Sequence, residues 1–95
     1  MSKLQFLGTT TEHHIRINIG KQSYAVAFVD GKSNGYCISE VECEKNNEIL
    51  YNYRTNCITD DLYKKIDSIL NNPKNVKEIQ YYIIKLQPQI KRQTI

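Results

Sequence analysis

The sequence predicts an α+β domain in which an antiparallel β-meander of four strands is followed by one helix and a C-terminal fifth strand. Three observations predict it. Residues 12–55 hold alternating apolar and polar runs that fold back on themselves at short polar turns. Thr59-Asp60-Asp61 then opens a run of helical periodicity that stops at Pro73, and Val76 to Leu86 is rich in β-branched and aromatic residues.

The elements follow in chain order. Leu4, Phe6 and Leu7, ahead of the break at Gly8-Thr9-Thr10-Thr11, suggest a short edge strand or a tucked arm. His13, Ile15, Ile17 and Ile19 alternate with His14, Arg16 and Asn18, the two-residue period of a half-buried strand. Gly20-Lys21-Gln22 supplies a turn, and Ser23 to Val29 returns with apolar residues on both faces, which places that strand inside the sheet. Asp30 to Gly35 is a hairpin loop of turn formers. Tyr36 to Glu44 is the third strand, Lys45-Asn46-Asn47 a turn, and Glu48 to Thr55 the fourth strand with Ile49, Tyr51 and Tyr53 on one face.

Thr59 offers a capping hydroxyl and Asp60 and Asp61 place carboxylates at the positive end of the helix dipole. Leu62, Ile66, Ile69 and Leu70 form its apolar stripe, and Asn71-Asn72-Pro73 ends it. Val76, Ile79, Ile83 and Leu86 also fit helical spacing, but the strand formers of Gln80 to Ile84 favour a strand. Gln87 to Ile95 reads as a polar basic tail in which Pro88 blocks continuation.

A chain of 95 residues with 40% hydrophobic content supports one compact core. We therefore place a single domain at 1–86 and the tail at 87–95. No apolar run approaches the roughly 18 residues that span a bilayer, and the apolar stretch near Met1 is too short for a signal peptide. This leads us to expect a cytoplasmic protein without a membrane partner.

The net charge of +3 conceals an uneven distribution. Asp30, Glu40, Glu42, Glu44, Glu48, Asp60 and Asp61 make the middle acidic, whereas Lys64, Lys65, Lys74, Lys77, Lys85, Lys91 and Arg92 make the end basic. The three cysteines, Cys37, Cys43 and Cys57, show neither a C-x-x-C pair nor finger spacing with histidine, which argues against a disulfide framework and a zinc site. Cys37 and Cys43 share one strand parity with Ser39 and Val41, so both are expected as buried, reduced thiols.

No catalytic motif, metal-ligand spacing or phosphate loop stands out, and we expect no cofactor. His13 and His14 are adjacent on a strand and point to opposite faces, so they do not converge on one metal ion. Val29-Asp30-Gly31 is similar to the way retroviral-type RNases H begin, but Glu40, Glu42 and Glu48 do not supply the further carboxylates of that fold, and we read a turn. Glu40, Glu42 and Glu44 fall on one face of the third strand and form an acidic docking stripe. Lys74, Lys77, Lys85, Lys91 and Arg92 are the candidate nucleic-acid contacts, with Tyr51, Tyr53, Tyr81 and Tyr82 as an aromatic sheet face that bases could stack on.

From these features the expected function is a non-enzymatic binding protein acting stoichiometrically on a protein partner, as an inhibitor, adaptor or accessory factor. The abundance of Asn, Ile, Lys and Tyr fits an AT-rich genome of a bacterium, mobile element or phage, a setting that suits a small inhibitor of host defence. The alternatives are a nucleic-acid-binding module and a small enzyme or nucleotide-binding domain with its site at a dimer interface. Unpaired strand edges also suggest a homodimer.

Overall fold

Alternating runs that bury one face of each strand assemble into a five-stranded antiparallel sheet in strict chain order, β1-β2-β3-β4-β5. A computed structural model describes the backbone of residues 2–31 and 35–94 and the side chains of residues 3–31 and 35–85. The strands are β1 (Ser2–Thr9), β2 (His13–Ile19), β3 (Gln22–Asp30), β4 (Tyr36–Cys43) and β5 (Glu48–Tyr51), followed by helices α1 (Asp60–Leu70) and α2 (Pro73–Thr94). Residues 32–34 of the expected Asp30–Gly35 loop lie outside the described residues.

Three expectations are corrected. The meander has five strands, because the N-terminal segment is a full strand whose Leu4 and Phe6 pair with Ile17 and Ile15. A bulge between Phe6 and Gly8 breaks its alternation, and Gly8 adopts φ +140° there, a conformation open to glycine. No C-terminal fifth strand follows α1, since residues 76–86 belong to α2. There are two helices rather than one.

The physical reason is burial. At helical spacing Val76, Ile79 and Ile83 reach the core together, and Ile79 is completely buried. Burying one such side chain is worth about 1.5–3 kcal/mol, more than the ~1 kcal/mol span of strand propensities. Asn72-Pro73 also does two jobs: it stops α1 and starts α2. Asn72 Oδ1 accepts from the Lys74 N–H at 3.0 Å, and Pro73 occupies the first helical position, where its missing N–H costs nothing. The expected break at Pro88 is corrected as well, since the α2 backbone is helical through Pro88 to Thr94.

The other assignments hold with adjusted ends. Gly20, at φ +61°, makes the two-residue turn that pairs Ile19 with Gln22. Thr59 Oγ1 accepts from the Leu62 N–H at 3.2 Å and caps α1, as its sequence predicts. β5 ends at Tyr51, because Asn52 closes a turn by accepting from the N–H groups of Arg54 and Thr55 at 2.8 and 2.7 Å.

Parity on β4 changes midway. The pairing passes from Ala27–Glu40 to Phe28–Ile38, leaving Ser39 as the extra residue of a bulge, its hydroxyl donating to Glu12. Tyr36 and Ile38 before the bulge and Val41 after it therefore share the core face. Cys37 is turned outward and exposed, and Cys43 is half-buried, which corrects their expected burial.

The core lies between one sheet face and the two helices. Ile15, Ile17, Val26, Phe28, Ile38 and Val41 from the strands meet Ile66, Leu70 and Ile79 from the helices. The sheet edges are treated unequally. Beyond β5, the returning chain pairs Asn56 with Tyr51 and donates the Cys57 N–H to the Leu50 carbonyl at 2.9 Å. On β4, which β5 reaches only at residues 41–43, Asn71 Oδ1 accepts from the Tyr36 N–H at 2.7 Å and Nδ2 donates to the Tyr36 carbonyl at 3.1 Å. β1 pairs with β2 on one side only.

Candidate functional site

With α1 and α2 on one face, the side chains of opposite parity line the other, and no described helix packs over them. Their register builds two rows across the sheet. Gln5, Arg16, Ala25, Glu42 and Ile49 form one, and Gly8, His14, Ala27 and Glu40 the next. The floor is low where β3 contributes only Ala25 and Ala27. Carboxylates from β4 flank it on one side and Arg16 and His14 from β2 on the other.

The low floor permits a contact over the central strand. Arg16 donates from Nε to Glu44 Oε1 at 2.7 Å and from its terminal nitrogen to Oε2 at 2.9 Å, a bidentate pair between β2 and the end of β4. These hydrogen bonds hold the Glu44 carboxyl below the usual carboxylate range, partly offset by desolvation, and raise Arg16 further above neutrality. The pair borders a polar trough of about 550 Å³ that also takes in Asn18, Lys21, Ser23 and Lys45.

A pH dependence follows from this pair. Because the Glu44 pKa is lower in the folded chain than in the unfolded one, its stabilisation is complete above the unfolded value and is lost as pH falls through the folded one. Glu44→Gln is expected to melt at a lower temperature than the wild type at pH 7, with the difference closing below about pH 4. Thermal melts from pH 7 to pH 3 check it; parallel curves would remove the pair from the stability of the fold.

The expected acidic stripe is present on one face, but its members are not equivalent. Glu44 is neutralised by Arg16, whereas Glu40 and Glu42, opposite Ala27 and Ala25, have no cationic partner among the described residues. Arg16 and the trough are the features of this face that sequence reasoning passed over. The available signal was Arg16 itself, an outward-facing cation between core isoleucines, but its partner depends on register across a third strand.

The basic residues are redistributed. Lys74, Lys77 and Lys85, expected to flank or lie on a strand, are exposed on α2, and Lys85 Nζ stands 5.8 Å from the Tyr81 ring centroid. Lys74, Lys77, Tyr81 and Lys85 follow helical i, i+3 and i+4 steps on the side away from Val76, Ile79 and Ile83. Lys91 and Arg92 belong to the same helix, their side chains outside the described residues.

The aromatic sheet face does not form. Tyr51 packs edge-on against Tyr63 of α1 at 5.2 Å, Tyr53 sits in the loop after β5 beneath Arg54, and Tyr81 and Tyr82 are helical. The two histidines do lie on opposite faces. His13 packs against Phe28 at 5.4 Å and accepts or donates through Nδ1 to the Thr9 hydroxyl, while His14 pairs across the open face with Ala27. Among the described residues no group of three His, Cys, Asp or Glu side chains gathers as metal ligands, and no helix is long and apolar enough to cross a membrane. No protein-family model, curated protein or solved structure matches the chain.

Proposed function

We propose that this chain is a non-enzymatic binding protein that acts stoichiometrically on a protein partner, as an inhibitor, adaptor or accessory factor, and that the partner docks on the open sheet face. The observation that carries the reading is the pair Glu40 and Glu42 standing beside the low floor of Ala25 and Ala27. A basic surface could approach that floor closely and neutralise both carboxylates, and charge complementarity of this kind sets orientation and association rate. The composition suits an AT-rich bacterial or phage genome, and inhibition of a host defence protein is the setting we favour.

Affinity capture of partners from cells, with the wild type and a Glu40→Lys/Glu42→Lys double variant as baits, tests the site. A protein retained at a defined stoichiometry by the wild type, and bound at least about tenfold more weakly by the variant (about 1.4 kcal/mol), supports it. Equal retention by both baits removes the open face from the proposal, and no stoichiometric partner removes the function.

A second reading, nucleic-acid binding, is supported by the row of Lys74, Lys77, Tyr81 and Lys85 on the exposed side of α2. Three phosphate contacts would give a log–log salt slope near −3 for duplex DNA. Fluorescence anisotropy across a salt series measures it, and a slope near zero would leave α2 as a solvated surface.

A further inference from the structure

We propose that the chain forms a homodimer in which two copies pair their β1 strands antiparallel across a two-fold axis, joining both sheets into one. This surface is separate from the open-face docking site, and either proposal can fail without the other.

The unequal treatment of the edges points to β1. Asn71 occupies the backbone groups of Tyr36 on β4, and Asn56 and Cys57 cover β5, whereas nothing described pairs with the outer side of the eight-residue β1. Ladder geometry says which groups are left. The Ile19–Gln22 pair closing a two-residue turn is a hydrogen-bonded pair, so alternation directs the backbone of Ile17 and Ile15 to β3 and that of Asn18 and Arg16 to β1. Their partners Lys3 and Gln5 are thereby satisfied by β2, and the N–H and C=O of Leu4 and Phe6 point away from the sheet. An open row of this kind is a template for another strand.

The surroundings suit a protein interface. Tyr82, 38% exposed, stacks on Phe6 with ring centroids 5.6 Å apart, and Leu7 next in the strand is 43% exposed. A groove of about 470 Å³ runs between β1 and α2, lined by Lys3, Leu4, Gln5, Phe6, Glu78 and Tyr82. It carries one ammonium and one carboxylate, so it has no net charge with which to recruit an acidic or a basic segment. A second copy brings a carboxylate for each ammonium.

The edges also select symmetric pairing. With β5 covered, the free edge that a second copy offers to β1 is its own β1, so the contact is isologous and closes at the dimer rather than growing into a filament.

Sedimentation velocity over a concentration series is expected to show a species of twice 11.1 kDa. In the dimer, hydrogen exchange should protect the amides of Leu4 and Phe6. Leu7→Lys adds a cation to the same edge as Lys3 in both copies and should weaken dimerisation at least about tenfold. Protection of the Ile15 and Ile17 amides would show that this variant remains folded, and Tyr53→Lys, in the loop after β5, should leave the dimer intact. A wild type that remains monomeric at about 0.3 mM, or a dimer whose Leu4 and Phe6 amides exchange as fast as those of exposed loops, overturns the proposal.

Discussion

Phe28→Ala is expected to destabilise the fold by about 3–5 kcal/mol, the range for truncating a fully buried phenylalanine. Phe28 sits on β3, an interior strand of the sheet, and its side chain is completely buried. Its ring meets Tyr36 edge-on at 4.7 Å and tilts against His13 at 5.4 Å, so the truncation also forfeits aromatic contacts from two flanking strands. Pairing on both sides prevents β3 from moving inward to fill the space, which places the cost well above that of the transfer term alone. A domain of this size has about 5–15 kcal/mol in total, so about a fifth or more of its stability is at stake. Urea titration should show a lower midpoint with an unchanged slope. Tyr53→Ala, at a side chain 85% exposed, should stay within about 0.5 kcal/mol of the wild type. A loss below about 1 kcal/mol for Phe28→Ala would mean that helices and sheet do not close over this residue.

The residues that encode this core differ in how openly they announce it. Ile15, Ile17 and Ile19 alternate without interruption, and Thr59 with its two aspartates marks a helix start by chemistry alone, so β2 and α1 are legible from the sequence. β1 and β4 each contain a bulge, at Leu7 and at Ser39, and one extra residue reverses every parity beyond it. That reversal turned Cys37 outward and made Leu4, Phe6 and Leu7 look irregular.

The C-terminal segment failed for a different reason. Gln80 to Ile84 carries strand propensity, but propensity is a local term, and the decision fell to Val76, Ile79 and Ile83 finding Ile66 and Leu70 across the core. The open face shows the same division. The common parity of Glu40, Glu42 and Glu44 can be read along one strand, whereas the pairing of Glu44 with Arg16, 28 residues away, exists only once three strands are in register.

Asn71 shows what such long-range complementarity is worth, and Asn71→Ala is expected to cost about 1–3 kcal/mol. Its side-chain amide presents an acceptor and a donor to Tyr36 as the peptide group of a neighbouring strand would, at 2.7 and 3.1 Å, and Nδ2 also donates to Asp67 at 3.1 Å. The residue after α1 thereby finishes the part of β4 that β5 is too short to reach. Alanine would leave the Tyr36 N–H and C=O without their partner in a half-buried groove of about 360 Å³ between β4 and α1. Asn71→Asp separates the hydrogen bonds from the shape. It keeps the volume and the acceptor but removes the donor, and it sets a carboxylate against the Tyr36 carbonyl and Asp67. It should therefore be at least as destabilising as alanine at neutral pH, which a simple packing role would not produce. Asn71→Ala should release the Tyr36 amide to fast hydrogen exchange and should scatter more light at high concentration because a second edge becomes free to pair, whereas Asn71→Asp keeps the acceptor for that amide. If Tyr36 keeps its protection in Asn71→Ala, which removes the acceptor as well as the donor, the clamp does not act through its hydrogen bonds.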